Sequence, residues 1–540
     1  MRSLFTPQCQ GVSSATSSAG LRAAVPRLIV RASRQVFGGA ASPASGARRG
    51  LTGGVAARAG DIGAMLSGLK KAFGQPGAGG GAPAAAAPRA LAFADTAPSW
   101  EQLAEMVAAQ EREHGVNFTA PDLENGPTHP LSLKRTFGSS EPIRVKLYRD
   151  HAAWCPYCQK VWLQLEEKRI PYVIEKINMR CYGDKPPSFM AKVPNGLLPV
   201  LELDGRVVTE SSVIMTLLEE AFPDHKPLMP PAGSAARGRA DALMRLERRF
   251  FGSWLEWLCS GWNQPAAQAS FERTVDAVAD ALEAEGGPYF MGSEITLVDI
   301  TFAPMLERAN ASLAYYKGFF MRGKGRWPAL ERWFEAMESR PTYLGTRSDH
   351  YTHCHDLPPQ LGGCYGTDAA EPWKAAIDGT DGAYWTLPLA PLGPATLPEP
   401  YSAPEQPHLD RLEAAARLVS NNAAITRFSL RGPGRPGPRP VSAPLADPTG
   451  VAAAEHGPAM DAALRHVAHA LLAGVEAKQT SKDHALSTSE VGGGGLEGAP
   501  VVAAAEYLRD RVGVPRDMKM PAARQLRAHL NWLIDSLVAA

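Results

Sequence analysis

The stretch that decides the fold runs from Lys146 to Lys160 and reads KLYRDHAAWCPYCQK. Its apolar beginning predicts a short β-strand, after which a loop brings Cys155 and Cys158 to the start of a helix. Proline directly after Cys155 suits the first helical position, where its missing N–H costs no hydrogen bond. The Cys155 sulfur is therefore expected where unpaired backbone N–H groups and the helix dipole favour negative charge. Such a position favours the nucleophilic thiolate over the thiol.

Three interpretations of the Cys-x-x-Cys pair are open: a structural zinc site, a buried structural pair, and a redox or thiol-transfer site. Zinc needs a second set of ligands at suitable spacing. The nearest candidates are His350, His353, Cys354 and His355. They lie far along the chain in a different predicted domain, and packing is the simpler role for them. A proline and an aromatic between the cysteines, with a strand before and a helix after, favour thiol chemistry. Additional positive charge near the sulfur is expected from Arg149, His151 and Lys160.

Strand and helix patterns alternate from residue 143 to residue 224. The βαβ half consists of Val145–Tyr148, Tyr157–Lys168 and Tyr172–Ile177. The ββα half consists of Val200–Leu203, Val207–Thr209 and Ser211–Phe222. A hairpin turn at Asp204-Gly205 separates its two strands. This order, with a cysteine at the start of the first helix, is the thioredoxin-type arrangement.

Amphipathic helical patterns alone occupy residues 235–345 and return in the Ala-rich part after residue 406. The predicted fold class is therefore α+β: a thioredoxin-like βαβ–ββα domain, an all-α domain, and an additional α-helical C-terminal extension. Composition and periodicity predict a short helix and a Gly/Ala/Pro linker over 61–98, a helical lead-in and loop over 99–142, the thioredoxin-like domain over 143–224, the all-helical domain over 235–345, a turn-rich connector over 346–405, and the extension over 406–540, with disordered insertions at 432–450 and 481–498.

The first sixty residues differ in composition from the rest of the chain. They contain eight arginines and no aspartate or glutamate. The formal net charge of the chain is +1, so the remainder carries a charge of 1 − 8 = −7. An Arg-, Ser- and Ala-rich, acid-free beginning is typical of an organelle transit peptide, which we predict over 1–60. The chloroplast stroma is the expected location, with the mitochondrial matrix as the alternative. We expect neither nucleic-acid binding nor a membrane span.

The motifs in this order resemble the glutathione transferases of the cysteine type, over about residues 140–345. Leu197-Leu198-Pro199-Val200 is similar to the family's cis-proline loop, and the resemblance implies that Pro199 and the Leu198 backbone contact the cysteinyl part of glutathione. It also implies that Glu210 and Ser211 hold the γ-glutamyl ammonium and carboxylate, with Ser211 at a helix N-terminus. Lys185 falls where related enzymes place a lysine near the glycyl carboxylate.

A narrower resemblance is to the iota class of cyanobacteria, algae and non-vascular plants. It rests on the motif around Trp154-Cys155-Pro156-Tyr157-Cys158, on Cys181-Tyr182-Gly183, and on the segment Tyr351–Cys364. Members of that class carry an additional C-terminal region, as this chain does. Self-association or docking of a protein partner is the expected role of that extension.

The resemblance implies a glutathione-dependent thiol transferase with glutathione as co-substrate and no metal. Cys155 is the expected nucleophile, and Cys158 is either a resolving thiol or a packing residue. Deglutathionylation is the first expectation for the reaction, and dehydroascorbate reduction is the second. The alternative is a non-catalytic ligand-binding or assembly scaffold with the same fold.

Overall fold

The computed structural model of this chain describes residues 97–474 and 498–539. The predicted transit peptide, the linker up to residue 96 and the second insertion up to residue 497 lie outside the described residues. Among the helices of the described part, none combines the length and the apolar character needed to cross a membrane.

A five-stranded sheet with the order β1-β3-β2-β4-β5 forms the centre of the first domain. Its strands are β1 (Lys134–Arg135), β2 (Val145–Asp150), β3 (Tyr172–Ile177), β4 (Val200–Leu203) and β5 (Arg206–Thr209). β2 and β3 are parallel, and the other neighbours are antiparallel. A parallel pair needs a crossover connection, and the helix Pro156–Lys168 (α2) provides it between β2 and β3. The helices of this domain are α2 (Pro156–Lys168), α3 (Pro187–Lys192) and α4 (Ser211–Ala221).

An all-helical domain follows the sheet. It comprises α5 (Ala235–Cys259), α6 (Gln264–Glu283), α7 (Leu297–Lys317), α8 (Pro328–Glu338) and α9 (Pro341–Leu344). α7 is the central helix, and nearly all its side chains are buried. It begins with a capping box in which Asp299 accepts the N–H of Thr296 at 2.8 Å. The other Asp299 oxygen accepts the indole N–H of Trp333 at 3.0 Å, which ties α8 to the start of α7. The predicted α+β fold, with a thioredoxin-like domain before an all-helical one, is confirmed.

The connector over 346–405 is more helical than its composition predicts. It contains α10 (His350–Leu361) and α11 (Glu371–Ile377). Asp349 caps α10 by accepting the N–H of Thr352 at 2.9 Å. Tyr351, Cys354 and Leu357 recur at helical spacing and are all buried. Interspersed histidines and two internal prolines obscure this periodicity in the sequence.

The C-terminal extension forms its core together with a helix from the other end of the described chain. Its helices are α12 (Pro407–Ser420), α13 (Asn422–Ser429), α14 (Gly457–Ala473), α15 (Ala499–Arg509) and α16 (Met520–Ala539). A capping box at Ser99 starts α1 (Trp100–His114), within the predicted helical lead-in. Leu103 and Val107 of α1 are buried in the same apolar cluster as the extension helices. The lead-in helix therefore belongs to the helical module of the extension.

The prediction of disorder over 432–450 is wrong. The segment is an irregular loop rather than a helix or strand. Arg435 and Val451 exchange backbone hydrogen bonds at 3.0 and 2.9 Å across its ends. Ala443 is buried, and its N–H donates to the carbonyl of Cys181 at 3.1 Å. Composition alone indicated a flexible insertion because it does not register such a tertiary contact.

Candidate active site

Strand register brings three separate segments to one end of the sheet. Tyr148 of β2 lies opposite Val200, so the chain leaving β2 toward Cys155 passes beside Pro199, which precedes β4. Val200 in turn lies opposite Thr209, the last residue of β5. The residues that follow, Glu210 and Ser211, therefore start their helix at the same end of the sheet as the cysteine-bearing helix.

Cys155 occupies the N-cap position of α2, with proline at the first helical position. Its carbonyl accepts the N–H of Gln159 at 3.0 Å, the first hydrogen bond of the helix. The side chain is 9% exposed, so the sulfur is near the surface but largely shielded. The free N–H groups of the first turn and the positive end of the helix dipole stabilise a thiolate in this position.

Cys158 lies one turn further along α2 and is 1% exposed. Burial raises the pKa of its thiol well above the ordinary value, and a hydrogen bond to Cys155 acts in the same direction. Both cysteines are free thiols. In this pair Cys155 is largely shielded from solvent, whereas Cys158 is fully buried and protonated.

Asp150 supplies a buried carboxylate at the end of β2. One of its oxygens accepts the N–H of Trp154 at 2.7 Å, which shapes the loop before Cys155. An oxygen of Asp150 and the sulfurs of Cys155 and Cys158 lie within 4.8 Å of one another, a grouping that could hold a metal ion. Three protein ligands are one fewer than a closed structural zinc site requires.

A buried cation that acts on Cys155 comes from the helical domain. The guanidinium of Arg308 on α7 donates to the carbonyl of Trp154 and stacks on that indole ring at 4.9 Å. Its charge interacts favourably with a Cys155 thiolate. An arginine remains protonated at any working pH. Because Arg308 is buried, its field is little screened by solvent.

Arg149, His151 and Lys160 were expected to add positive charge near the Cys155 sulfur. Two of the three do not. His151 packs edge-on against Tyr182, and burial lowers its pKa to about 3, so it is neutral at physiological pH. Lys160 is buried in an ion pair with Glu247 at 2.9 Å. Arg149 donates to the carbonyl oxygens of Asp150 and Pro130, both at 2.8 Å, and its charge attracts Cys158.

A buried polar network holds the Trp154 side chain from α10. The Trp154 indole N–H donates to Nδ1 of His353 at 3.1 Å. His353 therefore carries its proton on Nε2, which lies 3.4 Å from a carboxylate oxygen of Glu307. The other Glu307 oxygen accepts from Gln159 of α2 at 2.9 Å. Arg308 closes the network by donating to the Gln159 side chain at 3.0 Å.

The residues of the expected glutathione cradle surround this end of the sheet. The Leu198–Pro199 peptide bond is cis. Glu210 has a φ of 67°, a left-handed conformation that is costly for a non-glycine residue and is concentrated at functional sites. Its side chain is exposed and makes no capping hydrogen bond. Ser211 begins α4, whose first N–H groups have no partner within the helix.

Lys185 borders the same cradle. Its side chain passes Gly196, where an added Cβ would lie 3.4 Å from the lysine Cδ. Its ammonium donates to the carbonyl of Asn178 at 2.5 Å. Burial lowers the pKa of Lys185, while negative charge on Cys158 and Cys155 opposes that effect. The lysine charge therefore faces both the proline loop and the cysteines.

The histidine-rich segment does not converge on one point, because its members contact different partners. His350 contacts Asn310 at 3.2 Å, and His355 contacts Asp378 at 2.9 Å. The Cys354 thiol donates to the carbonyl of Ala311 at 3.4 Å. With His353 on Trp154, this segment packs against α7 and the active-site loop.

Sequence reasoning missed Glu307, Arg308 and the role of His353. Glu307 and Arg308 lie within a helix that was interpreted as packing, and no local motif distinguishes them. A Glu-Arg pair in the middle of an otherwise apolar helix was the available signal, since charged residues are rarely buried without partners.

A sheet of thioredoxin type carrying a cysteine at a helix start, followed by an all-helical domain, defines the architecture of glutathione transferases. Residues 154–221 match the family model of the glutathione S-transferase N-terminal domain, and residues 245–336 match that of the C-terminal domain. Glutathione S-transferase DHAR2 of Arabidopsis thaliana is 30% identical over 194 residues, which cover 36% of this chain and 84% of that relative. The chain belongs to the glutathione S-transferase family.

The chain is also similar to a second plant protein and to a solved structure. Chloroplastic glutathione S-transferase DHAR3 of Arabidopsis thaliana is 28% identical over 195 residues, covering 36% of this chain and 69% of the relative. The crystal structure of glutathione transferase Omega 3C from Trametes versicolor is 29% identical, covers 39% of this chain and 91% of its own, and has a TM-score of 0.34. The protein is accordingly a glutathione transferase enzyme, and glutathione is its co-substrate.

Proposed function

We propose that this enzyme is a glutathione-dependent thiol transferase of the cysteine type, with Cys155 as its nucleophile. The observation that carries the proposal is the position of Cys155: a helix start, close to the Arg308 guanidinium and at the same sheet end as Pro199 and Ser211. Serine or tyrosine at this position would stabilise the glutathione thiolate through a hydroxyl. A cysteine can form a disulfide with glutathione instead.

In the proposed reaction, the Cys155 thiolate attacks the glutathione sulfur of a glutathionylated substrate. The Cys155–glutathione disulfide forms, the substrate–glutathione disulfide breaks, and the substrate leaves as a thiolate that takes up a proton. The thiolate of a second glutathione then attacks the bound glutathione sulfur, releasing oxidised glutathione and regenerating the Cys155 thiolate. The net reaction converts a mixed disulfide and one reduced glutathione into a free thiol and oxidised glutathione.

Roles for the cradle residues follow from their positions. Pro199 and the Leu198 backbone would contact the cysteinyl part of glutathione, while the N–H groups at Ser211 would bind its γ-glutamyl carboxylate. The exposed carboxylate of Glu210 would pair with the γ-glutamyl ammonium. Lys185 would attract the glycyl carboxylate. The Cys155 sulfur would then lie beside the sulfur of the bound tripeptide.

Deglutathionylation is our first candidate for the physiological reaction. Dehydroascorbate reduction is the second, because a sister class with a similar Cys-Pro-aromatic-Cys helix start carries it out. We also propose iota-class membership, from the Trp-Cys-Pro-Tyr-Cys motif and the additional C-terminal region. The acid-free N-terminus supports a chloroplast-stromal location.

Cys155→Ser is the decisive variant. We expect it to lose thiol-transferase turnover with a glutathionylated peptide while retaining glutathione affinity, measured by calorimetric titration. In the unmodified chain, mass spectrometry after exposure to oxidised glutathione should show a glutathione adduct on Cys155. A Cys155–Cys158 disulfide would indicate the dithiol route instead.

The same experiment separates the enzyme from a non-catalytic scaffold. Unchanged turnover in Cys155→Ser would end the proposed mechanism. Absence of thiol exchange in the unmodified chain with several disulfides, together with binding of hydrophobic ligands, would favour the scaffold.

A further inference from the structure

A second pair of cysteines lies outside the site described above. Cys259 is the last residue of α5, and Cys364 lies three residues after the end of α10. The N–H of Tyr365 donates to the carbonyl of Leu258 at 3.0 Å. Each cysteine is covalently adjacent to one end of this hydrogen bond, so the two backbones are held side by side at the cysteines.

Both cysteines are free thiols, and their side chains are close enough to influence each other's ionisation. A hydrogen bond from the Cys364 thiol lowers the pKa of Cys259, and the charge of Lys317 acts in the same direction. The same hydrogen bond and burial raise the pKa of Cys364. Cys259 is therefore the better nucleophile, and Cys364 is the protonated partner.

Both cysteines are half-buried rather than enclosed. Trp262 is 75% exposed and Tyr365 is 52% exposed, and both flank the pair in sequence. An added Cβ on Gly261, which lies between Cys259 and Trp262, would approach the Tyr365 ring at 3.0 Å, so the two exposed aromatics frame the same surface. A small disulfide can reach sulfurs in such a position, whereas Cys354 and Cys181 are buried.

We propose that Cys259 and Cys364 form a second redox-active dithiol, which oxidised glutathione converts to a disulfide independently of Cys155. The disulfide would fasten the end of α5 to the segment that follows α10. Since α10 holds Trp154 through His353, the link would restrain the helix that supports the active-site loop.

The steps balance without a further reagent. The Cys259 thiolate attacks oxidised glutathione, forming a Cys259–glutathione disulfide and releasing one glutathione thiolate. Cys364 loses its proton to the released thiolate and attacks the Cys259 sulfur, which expels the second glutathione. Two protein thiols are oxidised and one glutathione disulfide is reduced. The Cys364 proton ends on the first glutathione, and the second glutathione thiolate takes up from solvent the proton that Cys259 released on ionisation.

Mass spectrometry of the full chain tests the proposal. The protein is equilibrated with a large excess of oxidised over reduced glutathione, remaining thiols are alkylated, and tryptic peptides are mapped without reduction. Cleavage at Arg249 and Arg273 isolates Cys259, whereas Cys364 shares its tryptic peptide with Cys354. Fragmentation must therefore locate the link.

We expect a Cys259–Cys364 cross-link, with Cys354 alkylated, in the unmodified chain and in Cys155→Ser alike. Cys364→Ser, or Cys364→Ala if the serine variant does not fold, should instead carry a glutathione adduct on Cys259. Alkylation of both thiols in the unmodified chain, or separate adducts without a cross-link, would overturn the proposal. The Cys155→Ser arm keeps this outcome distinct from the fate of the proposed catalytic mechanism.

Discussion

At the scale of single residues, the Cys-x-x-Cys motif contains two unequal thiols. Cys155 lies at the N-cap of α2 and faces the Arg308 guanidinium, whereas Cys158 is fully inside the core. A displacement of one helical turn separates a position that stabilises negative charge from one that opposes it. The first cysteine is therefore suited to attack, and the second to hydrogen bonding.

We expect Cys158→Ser to retain glutathione-coupled turnover within about threefold of the unmodified enzyme. The raised pKa of Cys158 keeps it protonated, so a second glutathione is the faster resolving thiol. Initial rates with a glutathionylated peptide measure this, with Cys155→Ser as the inactive reference. A loss as large as that of Cys155→Ser would instead assign Cys158 an obligatory resolving role.

At the scale of elements, helix α10 packs against the loop that precedes Cys155. His353 and Asp356, three residues apart and so on one face of the helix, contact Trp154 and Tyr182 of the thioredoxin-like domain. Gln360 near its end donates to the Cys181 sulfur. A helix outside both residue ranges matched by the family models thus supports the loop that precedes Cys155.

Replacing His353 with phenylalanine should weaken both stability and reactivity. The indole N–H of Trp154 loses its acceptor, which costs about 1–3 kcal/mol because a buried donor is left unpaired. We expect a lower free energy of unfolding in urea and slower alkylation of Cys155 by iodoacetamide. His355→Phe is the matched control, because Asp378 keeps its hydrogen bond from Tyr315. Equal effects of the two variants would contradict a specific role for His353.

The segment before the extension contains a buried acid whose protonation affects stability. Glu399 accepts the N–H of His350 at 3.0 Å. Burial and the charge of Asp349 raise the pKa of Glu399 from 4.5 to about 7. The folded protein thus binds this proton more tightly than the unfolded chain, and stability falls as pH rises from about 4.5 to about 7.

Glu399→Gln should remove that dependence, because glutamine stays neutral and can still accept the His350 N–H. The free energy of unfolding of Glu399→Gln minus that of the unmodified chain should therefore increase from pH 5 to pH 8. The increase should be up to roughly 3 kcal/mol. Denaturant titrations at the two pH values measure the difference. The exposed Glu371→Gln serves as control, and an identical pH dependence in Glu399→Gln and the unmodified chain would refute the prediction.

At the scale of the whole molecule, α2 carries both Cys155, the proposed nucleophile, and much of the contact between the thioredoxin-like and the all-helical domain. Its Lys160 pairs with Glu247 of α5 at 2.9 Å, and its Glu167 pairs with Arg340. Gln159 reaches Glu307 on α7. These polar side chains are buried because the helical domain covers them, so the geometry at Cys155 depends on both domains.

Glu247→Ala should destabilise the protein by about 3–5 kcal/mol, since it leaves the Lys160 ammonium buried without its carboxylate. The double variant Lys160→Met/Glu247→Leu should recover most of that loss. Chemical denaturation of Lys160→Met, Glu247→Leu and the double variant gives the coupling energy. The exposed pair of Lys134 and Glu124 at 3.0 Å is the control, for which Glu124→Ala should cost less than about 1 kcal/mol. Similar costs at the two sites would show that burial does not govern the strength of the Lys160 pair.

Local patterns predicted a large part of this protein. The alternation of strand and helix patterns indicated the thioredoxin-like domain, and amphipathic periodicity indicated the helical domain, because each pattern depends on neighbours only a few residues away. The position of Cys155 at a helix N-terminus followed from the same local chemistry. The cis bond at Pro199 and the helix start at Ser211 agree with what the family resemblance implied.

Only the tertiary structure decided which charged side chains lie near Cys155. His151 is neutral and Lys160 is paired, while Arg308, more than a hundred residues away in sequence, lies against the Trp154 carbonyl. Tertiary contacts between distant parts of the chain also decided three other features. These are the contacts of the loop at 432–450, the packing of α1 against the extension helices, and the close approach of Cys259 and Cys364. Burial and pairing depend on residues that meet only when the chain has folded, so sequence spacing could predict that Cys155 lies at a helix start but not which side chains surround it.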